Sequence, residues 1–251
     1  MIHITGDTHG HFDRLTPTLT PGEDKWTTQD YLIILGDCGL IMYHKLEIFM
    51  KEIEEEKRNV SFLQSKPYSI LFLQGNHENM DRLMEYPEEE RFGGTVRRIG
   101  TNIFFLQNGL FTIDNRKFFV FGGAHSQDKA WRLNHDRMIL AHYPDCPYQH
   151  LSWWPEELPG DQDYKRGIDS LLSADKSVDY VLTHTAPREL IMRMGHSPDP
   201  HDLQLVSFLD WLWYEVEFKH WFFGHWHIDK DVHPKATALY NDVVDLPTED
   251  N

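Results

Sequence analysis

Ile2-His3-Ile4-Thr5-Gly6-Asp7-Thr8-His9-Gly10 is the stretch on which the fold turns. Its first four residues read as a short strand. Glycine then breaks the run, and an Asp and a His follow. The same order recurs down the chain. Residues 31–35 lead into Gly36-Asp37, residues 69–73 into Gly75-Asn76-His77-Glu78, and residues 221–223 into Gly224-His225-Trp226-His227. A fifth apolar run, 180–182, leads into Thr183-His184. Asp, Asn and His delivered together at the carboxyl ends of several strands form a set of hard-to-borderline metal ligands.

Ligands drawn from both ends of a 251-residue chain favour one domain over residues 1–246, followed by a polar tail at 247–251. Forty per cent hydrophobic residues, with 8 Trp, 10 Tyr and 15 Phe, exclude a disordered protein. No apolar run approaches the ~20 residues needed to span a bilayer. The first strand starts at residue 2, where a signal peptide would need a charged lead. Cys38 and Cys146 make no disulfide framework, so a reducing, cytoplasmic setting is expected. The net charge of −16, with 40 acids against 24 Lys and Arg, weighs against extended nucleic-acid binding. A small basic pocket is compatible with it.

Strands alternate with helices in the first half. Leu46, Phe49, Met50 and Ile53 follow helical spacing, which predicts an amphipathic helix over about 43–58, with the acids of 52–56 as its solvated face. Asn79 is a cap for a short helix to Met84. Strands are expected over 103–106, 110–113 and 117–121, with Asp114-Asn115-Arg116 as a hairpin turn. Helices are expected over about 162–173 and 202–217, and a last strand over about 238–244. Residues 125–160 show weak periodicity and read as an irregular excursion on the ligand side of the sheets.

Loops after adjacent strands bring their side chains to one place. Two metals about 3.5–4 Å apart can hold a phosphoryl oxygen and a water between them, given one carboxylate shared by both and His or Asp on either side. Asp7, His9, Asp37, Asn76, His184, His225 and His227 supply such a set. A Gly-Asp at a strand end is common, and a lone His is more often a packed or surface residue than a ligand. All of them in order, each at a strand end, is what carries the reading.

In that order the motifs resemble those of the calcineurin-like metallophosphoesterases: Asp-x-His, Gly-Asp, Gly-Asn-His-Asp/Glu, a later His, then Gly-His-x-His. The resemblance spans roughly residues 2–228. It implies an α/β fold, a four-layer αββα sandwich of two mixed β-sheets with a dinuclear metal site at strand ends. It implies that Asp7, His9, Asp37 and His227 hold one ion and that Asp37, Asn76, His184 and His225 hold the other, with Asp37 bridging. His77 would face the substrate phosphate without ligating. The expected activity is metal-dependent hydrolysis of a phosphate ester by a metal-bridging hydroxide, with His77 and Asp37 as catalytic residues. Manganese, iron and zinc, divalent or trivalent, all suit the ligands.

The protein serine/threonine phosphatase branch extends the second motif to Gly-Asp-x-x-Asp-Arg-Gly. Here Leu40 and Ile41 stand where that Asp and Arg would be, although Glu78 matches the branch. Arg132 is the first candidate for the missing phosphate-binding cation, with His11 and Arg188 behind it. Trp153 and Trp154 read as packing rather than as a base-stacking pair, Cys38 as a small buried hydrophobe, and His125 and His135 as surface or loop residues. The expected substrate is a phosphorylated small molecule or phosphopeptide. The alternatives are a cyclic-nucleotide phosphodiesterase or dinucleoside polyphosphate hydrolase, a Ser/Thr protein phosphatase, a nuclease, and a non-catalytic metal-binding scaffold. The charge argues against the nuclease, and the intact His77 and ligand set argue against the scaffold.

Overall fold

A computed structural model describes residues 1–246, and the predicted tail at 247–251 lies outside the described residues. Strands β1 (Ile2–Thr5), β2 (Tyr31–Ile34) and β3 (Ser69–Phe72) run parallel, and β4 (Glu88–Arg91), β5 (Gly94–Arg98) and β6 (Ile103–Leu106) extend the same sheet. A second sheet holds β7 (Gly109–Ile113), β8 (Arg116–Phe121), β9 (Tyr180–Thr183), β10 (His220–Phe223), β11 (Lys230–His233) and β12 (Ala236–Ala238). Finally β13 (Val243–Leu246) returns to the first sheet, antiparallel to β1. The orders are β13-β1-β2-β3-β6-β5-β4 and β11-β12-β10-β9-β8-β7, both mixed.

Six helices complete the layers among the described residues: α1 (Met50–Gln64), α2 (Met80–Met84), α3 (Lys129–Leu140), α4 (Asp161–Ser173), α5 (Arg188–Arg193) and α6 (Leu203–Glu215). Between the sheets, Ile33, Leu71 and Phe104 meet Phe118, Leu182 and Phe222. The alternate residues of the same strands face outward. Leu32, Ile34 and Phe72 pack with Leu63 of α1 and Leu83 of α2. Val181, Trp221 and Phe223 pack with Leu171 of α4, Leu190 of α5 and Leu209 of α6. Strands buried on both faces read as unbroken apolar runs, which is why each motif follows one. The result is the expected four-layer αββα sandwich. Truncating an inter-sheet ring, as in Phe222→Ala, would cost about 3–5 kcal/mol.

Three expectations need correction. The helix predicted over 43–58 starts later, at Met50, after a 3₁₀ turn at Glu47–Phe49. Its buried stripe is Ile53, Glu56 and Leu63. Glu56 is therefore not part of a solvated face: it accepts the N–H groups of Met42 (2.7 Å) and Tyr43 (2.8 Å) and pairs with Arg82 (2.6 Å). The strand expected over 238–244 is split in two. Asp229 accepts the N–H groups of Tyr240, Asn241 and Asp242, and so turns the chain from β12 in one sheet to β13 in the other. The excursion at 125–160 contains α3, whose one fully buried residue is Asp136. Its carboxylate accepts Leu151 N–H (2.8 Å) and the Ser152 hydroxyl (2.6 Å), so a polar anchor holds this helix and no apolar stripe announces it.

Candidate metal centre

The carboxyl ends of β1, β2 and β3 and those of β9 and β10 open on the same side of the sandwich and bring all seven predicted ligands together. Donor atoms of Asp7, His9 and His227 form one group, and those of Asp7, Asp37 and His184 form another. Asn76 Oδ1 lies 3.0 Å from His184 Nε2 and 3.1 Å from His225 Nδ1, which adds both residues to the second group. His9 and His227 face one another, Nε2 to Nε2, at 3.0 Å.

The motif glycines are there because backbone must pass close to carboxylates. A Cβ on Gly75 would lie 2.1 Å from Asp37 Oδ1, and one on Gly224 would lie 2.3 Å from Asp7 Oδ1. The ligands themselves take up backbone strain. His9, Asp37, His225 and His227 all have φ between 45° and 67°, a left-handed conformation that costs about 1–2 kcal/mol per residue. The neighbouring loops hold them in it. Asp37 Oδ1 accepts His77 N–H (2.8 Å), Asp7 accepts His225 N–H (3.0 Å), and the Asp37 carbonyl accepts His9 N–H (2.8 Å). Glu78 accepts Cys38 N–H (2.7 Å) and Gly75 N–H (2.6 Å), tying the second motif to the third, a structural role not foreseen for it.

The donor set fits a cation on its own chemistry. His184 Nδ1–H donates to the Leu35 carbonyl (2.7 Å), which leaves the Nε2 lone pair aimed at Asn76 Oδ1. Asn76 Nδ2 donates to Ser126 Oγ (3.0 Å), which fixes Oδ1 toward the site. Two acceptors then face one another, and only a proton or a metal can reconcile them. In the metal-free protein a proton does so. Burial works against charge on His184, but Asp37 and Asp7 outweigh it and push its pKa up to about 10. Burial and the charge of His184 pull His225 down to about 3. Burial opposes ionisation of Asp37, yet His184, His77 and His9 hold its carboxyl far below the usual range. Burial, then the Asp37 charge, pushes Glu78 up to about 8.

His77 stands beside the groups. Its Nε2 is 3.7 Å from Asp37 Oδ2, its ring is 5.5 Å from that of His9, and burial lowers its pKa, as does the charge of Arg132. Arg132 donates Nε–H to both oxygens of Asp128 (2.8 and 2.9 Å) and Nη1–H to the Ser152 carbonyl (2.9 Å). Leu40 and Ile41 are buried in the outer core of the first sheet. Of the other residues singled out, Arg188 pairs with Asp210 (3.3 Å), and His11 and His135 are exposed. Cys38 is buried, and burial pushes its thiol up. Trp153 and Trp154 are buried in packing. His125 lies in the loop after β8, as expected, but it is buried and hydrogen-bonded through Nδ1 to Glu157 Oε1 (3.1 Å), not at the surface. The signal was available: Gly122-Gly123-Ala124-His125 follows β8 in the same glycine-then-histidine order as the motifs.

No curated protein sequence matches the chain. Among solved structures, phosphopantetheinyl hydrolase from Mycobacterium tuberculosis is similar at 14% identity over 95% of this chain and 87% of that one, with a TM-score of 0.39, a likeness that carries no argument about activity. The profile of the calcineurin-like phosphoesterases, in contrast, matches residues 1–229 and so takes in every motif described above. This chain belongs to the calcineurin-like phosphoesterase family.

Proposed function

We propose that this metal-dependent phosphoesterase cleaves a phosphate ester of a small molecule or phosphopeptide at a two-metal centre that shares Asp37. The observation that supports the reading is the reach of that carboxylate. Asp37 Oδ1 lies 3.6 Å from His184 Nε2, and Oδ2 lies 3.9 Å from His9 Nε2, so each oxygen addresses a different ligand group. Asp7, His9 and His227 would complete one ion's shell, and Asn76, His184 and His225 the other's. Such ions, when bound, polarise phosphoryl oxygens and acidify water.

The chain's own residues supply the rest. Asp7 and Asp37 bring the negative charge that concentrates cations. Leu35 and Ser126 orient His184 and Asn76. His77, neutral before substrate arrives, offers an N–H to a phosphate oxygen. The negative charge of that phosphate raises its pKa, and a protonated His77 can pass its proton to the leaving oxygen. Arg132 is proposed to contact the phosphate. With Nε–H given to Asp128 and one Nη1–H to Ser152, it keeps one N–H on Nη1 and two on Nη2 for that contact.

Trp153 and Trp154 are buried in packing and offer no free ring face for a nucleobase. Cys38 and Cys146 are free, and we assign the enzyme to the cytoplasm on its cysteine content. No described helix is long and apolar enough to cross a membrane. The assay that tests the reading compares p-nitrophenyl phosphate with bis-p-nitrophenyl phosphate, with and without added manganese. Metal-dependent turnover of the monoester is expected. Preference for the diester would make the enzyme a phosphodiesterase, and no turnover of either would return it to a scaffold.

A further inference from the structure

A second cluster of ligand-type side chains lies outside the central set. Donor atoms of His125, Asp199 and His201 fall within 4.8 Å of one another. The rings of His125 and His201 are 4.5 Å apart, and His125 and Asp199 line a cavity of about 100 Å³ that His225 also lines. We propose that these three residues form a third cation site, built for a borderline transition metal such as zinc or cobalt, distinct from the central pair. Two imidazoles and a carboxylate with the remaining positions left to water are a ligand set of that class. Metal–ligand distances near 2.0–2.2 Å place such donors at most about 4.4 Å apart, so only a small side-chain adjustment is needed.

A second, independent feature points the same way. His125 Nδ1 is hydrogen-bonded to the buried carboxylate of Glu157 (3.1 Å), which leaves Nε2 as the nitrogen with a lone pair for a metal. Glu157 is fixed in turn by Ser126 N–H (3.1 Å), and His125 N–H donates to Asp202 Oδ1 (2.7 Å). A carboxylate orienting a histidine by its distal ring nitrogen is the usual outer support of a metal ligand, and it raises ligand basicity. The buried carboxylates of Asp202 and Glu157 stand beside Asp199 in this cluster, and a cation would offset their charge. A satisfied core histidine would need the Glu157 bond alone; it would not need Asp199 and a second imidazole converging on it. The metal would join the loop after β8 to the segment entering α6, next to the loop that carries His225. Asp199 and His201 are partly or fully exposed, so the ion would exchange with solvent.

The test uses cobalt alone as the probe, on full chains stripped by chelation, with bound metal counted by elemental analysis after gel filtration and cobalt coordination read from its visible absorption. His201→Ala alters an exposed side chain and leaves the fold intact. Relative to wild type it should lose one cobalt per chain, or bind that ion at least about 10-fold more weakly. Glu157→Gln, which keeps the size of the buried group, should weaken the same ion by about 10–100-fold, as loss of an outer support does. An Asp37→Asn chain, with the central set disabled, should keep one cobalt, and adding His201→Ala should remove it. Equal cobalt content and equal absorption in wild type and His201→Ala would overturn the third site. That failure would leave the Asp37-dependent metals in place, so it is separable from failure of the central reading.

Discussion

The central site has a closed half and an open half. His184 is fully buried, and Asn76 nearly so, and each is locked by a hydrogen bond to a group that is not a ligand: the Leu35 carbonyl for one and the Ser126 hydroxyl for the other. His9 and His227 have 27% and 48% of their side chains exposed, and each leans on the other. His227 also stacks on Tyr240, ring centroids 4.4 Å apart. The difference teaches a division of labour. On the proposed reading, the closed half is organised before any ion or substrate arrives, and the open half is their way in.

Substitution of matched ligands should expose that division most strongly. His184→Ala leaves the buried Asp37 carboxylate without the nearest of its imidazole partners. In the metal-free protein it should cost about 3–5 kcal/mol, as breaking a buried pair does, and turnover should vanish. His227→Ala should cost about 1 kcal/mol or less, because its pairing with Asp7 is solvent-screened, while turnover falls just as far. Equal melting temperatures for the two variants would erase the distinction between the halves.

Next in size is His77, which belongs to neither half. His77→Ala should keep the metals and slow turnover by about 10²–10⁴-fold, with a smaller loss on substrates whose leaving group needs no proton. Metal loss on that substitution would make His77 a ligand of the open half. Arg132→Lys should lower kcat/KM by about 10-fold, the equivalent of one charge-assisted hydrogen bond of ~1.5 kcal/mol, and leave metal content unchanged. Kinetics like wild type would confine Arg132 to holding α3 through Asp128 and Ser152.

The smallest effect concerns pH, and it sharpens the closed half alone. The folded pKa of His184, about 10, lies above the ordinary value of 6.5. Its contribution to stability in the metal-free chain is fully present below pH 6.5 and lost as pH rises toward 10. The melting temperature of metal-free wild type should therefore fall over that window more steeply than that of His184→Ala. Metal must displace the same proton, so binding at the closed half should tighten as pH rises.

Both halves were legible to the same degree, because all seven ligands follow apolar strands whose length is a local property. The strands that carry the motifs, the Asn79 cap and the Asp114-Asn115 turn were readable for the same reason, whereas the pairing of the strands into two mixed sheets was implied by the family resemblance alone. What the sequence hid is a set of buried carboxylates. Glu56 takes a core position on α1, Asp136 anchors α3, Glu78 ties two motif loops, and Glu157 holds His125. In a periodicity reading each passes for a solvated charge, since nothing local says that its partners are backbone N–H groups far along the chain. The edge strand β4, Glu-Glu-Glu-Arg, was missed because an exposed strand shows no apolar alternation. Where the site depends on strand ends it could be read; where it depends on long-range polar anchors it could not.

The central claim is that one carboxylate serves both halves, and metal counting tests it most directly. Wild type and Asp37→Asn, each shown to be folded by circular dichroism, would be stripped, reloaded with manganese and analysed for bound metal per chain. The account predicts that Asp37→Asn holds two fewer ions than wild type, since both shells lose the residue they share. A difference of one would make Asp37 a ligand of a single ion, and no difference would contradict the centre altogether.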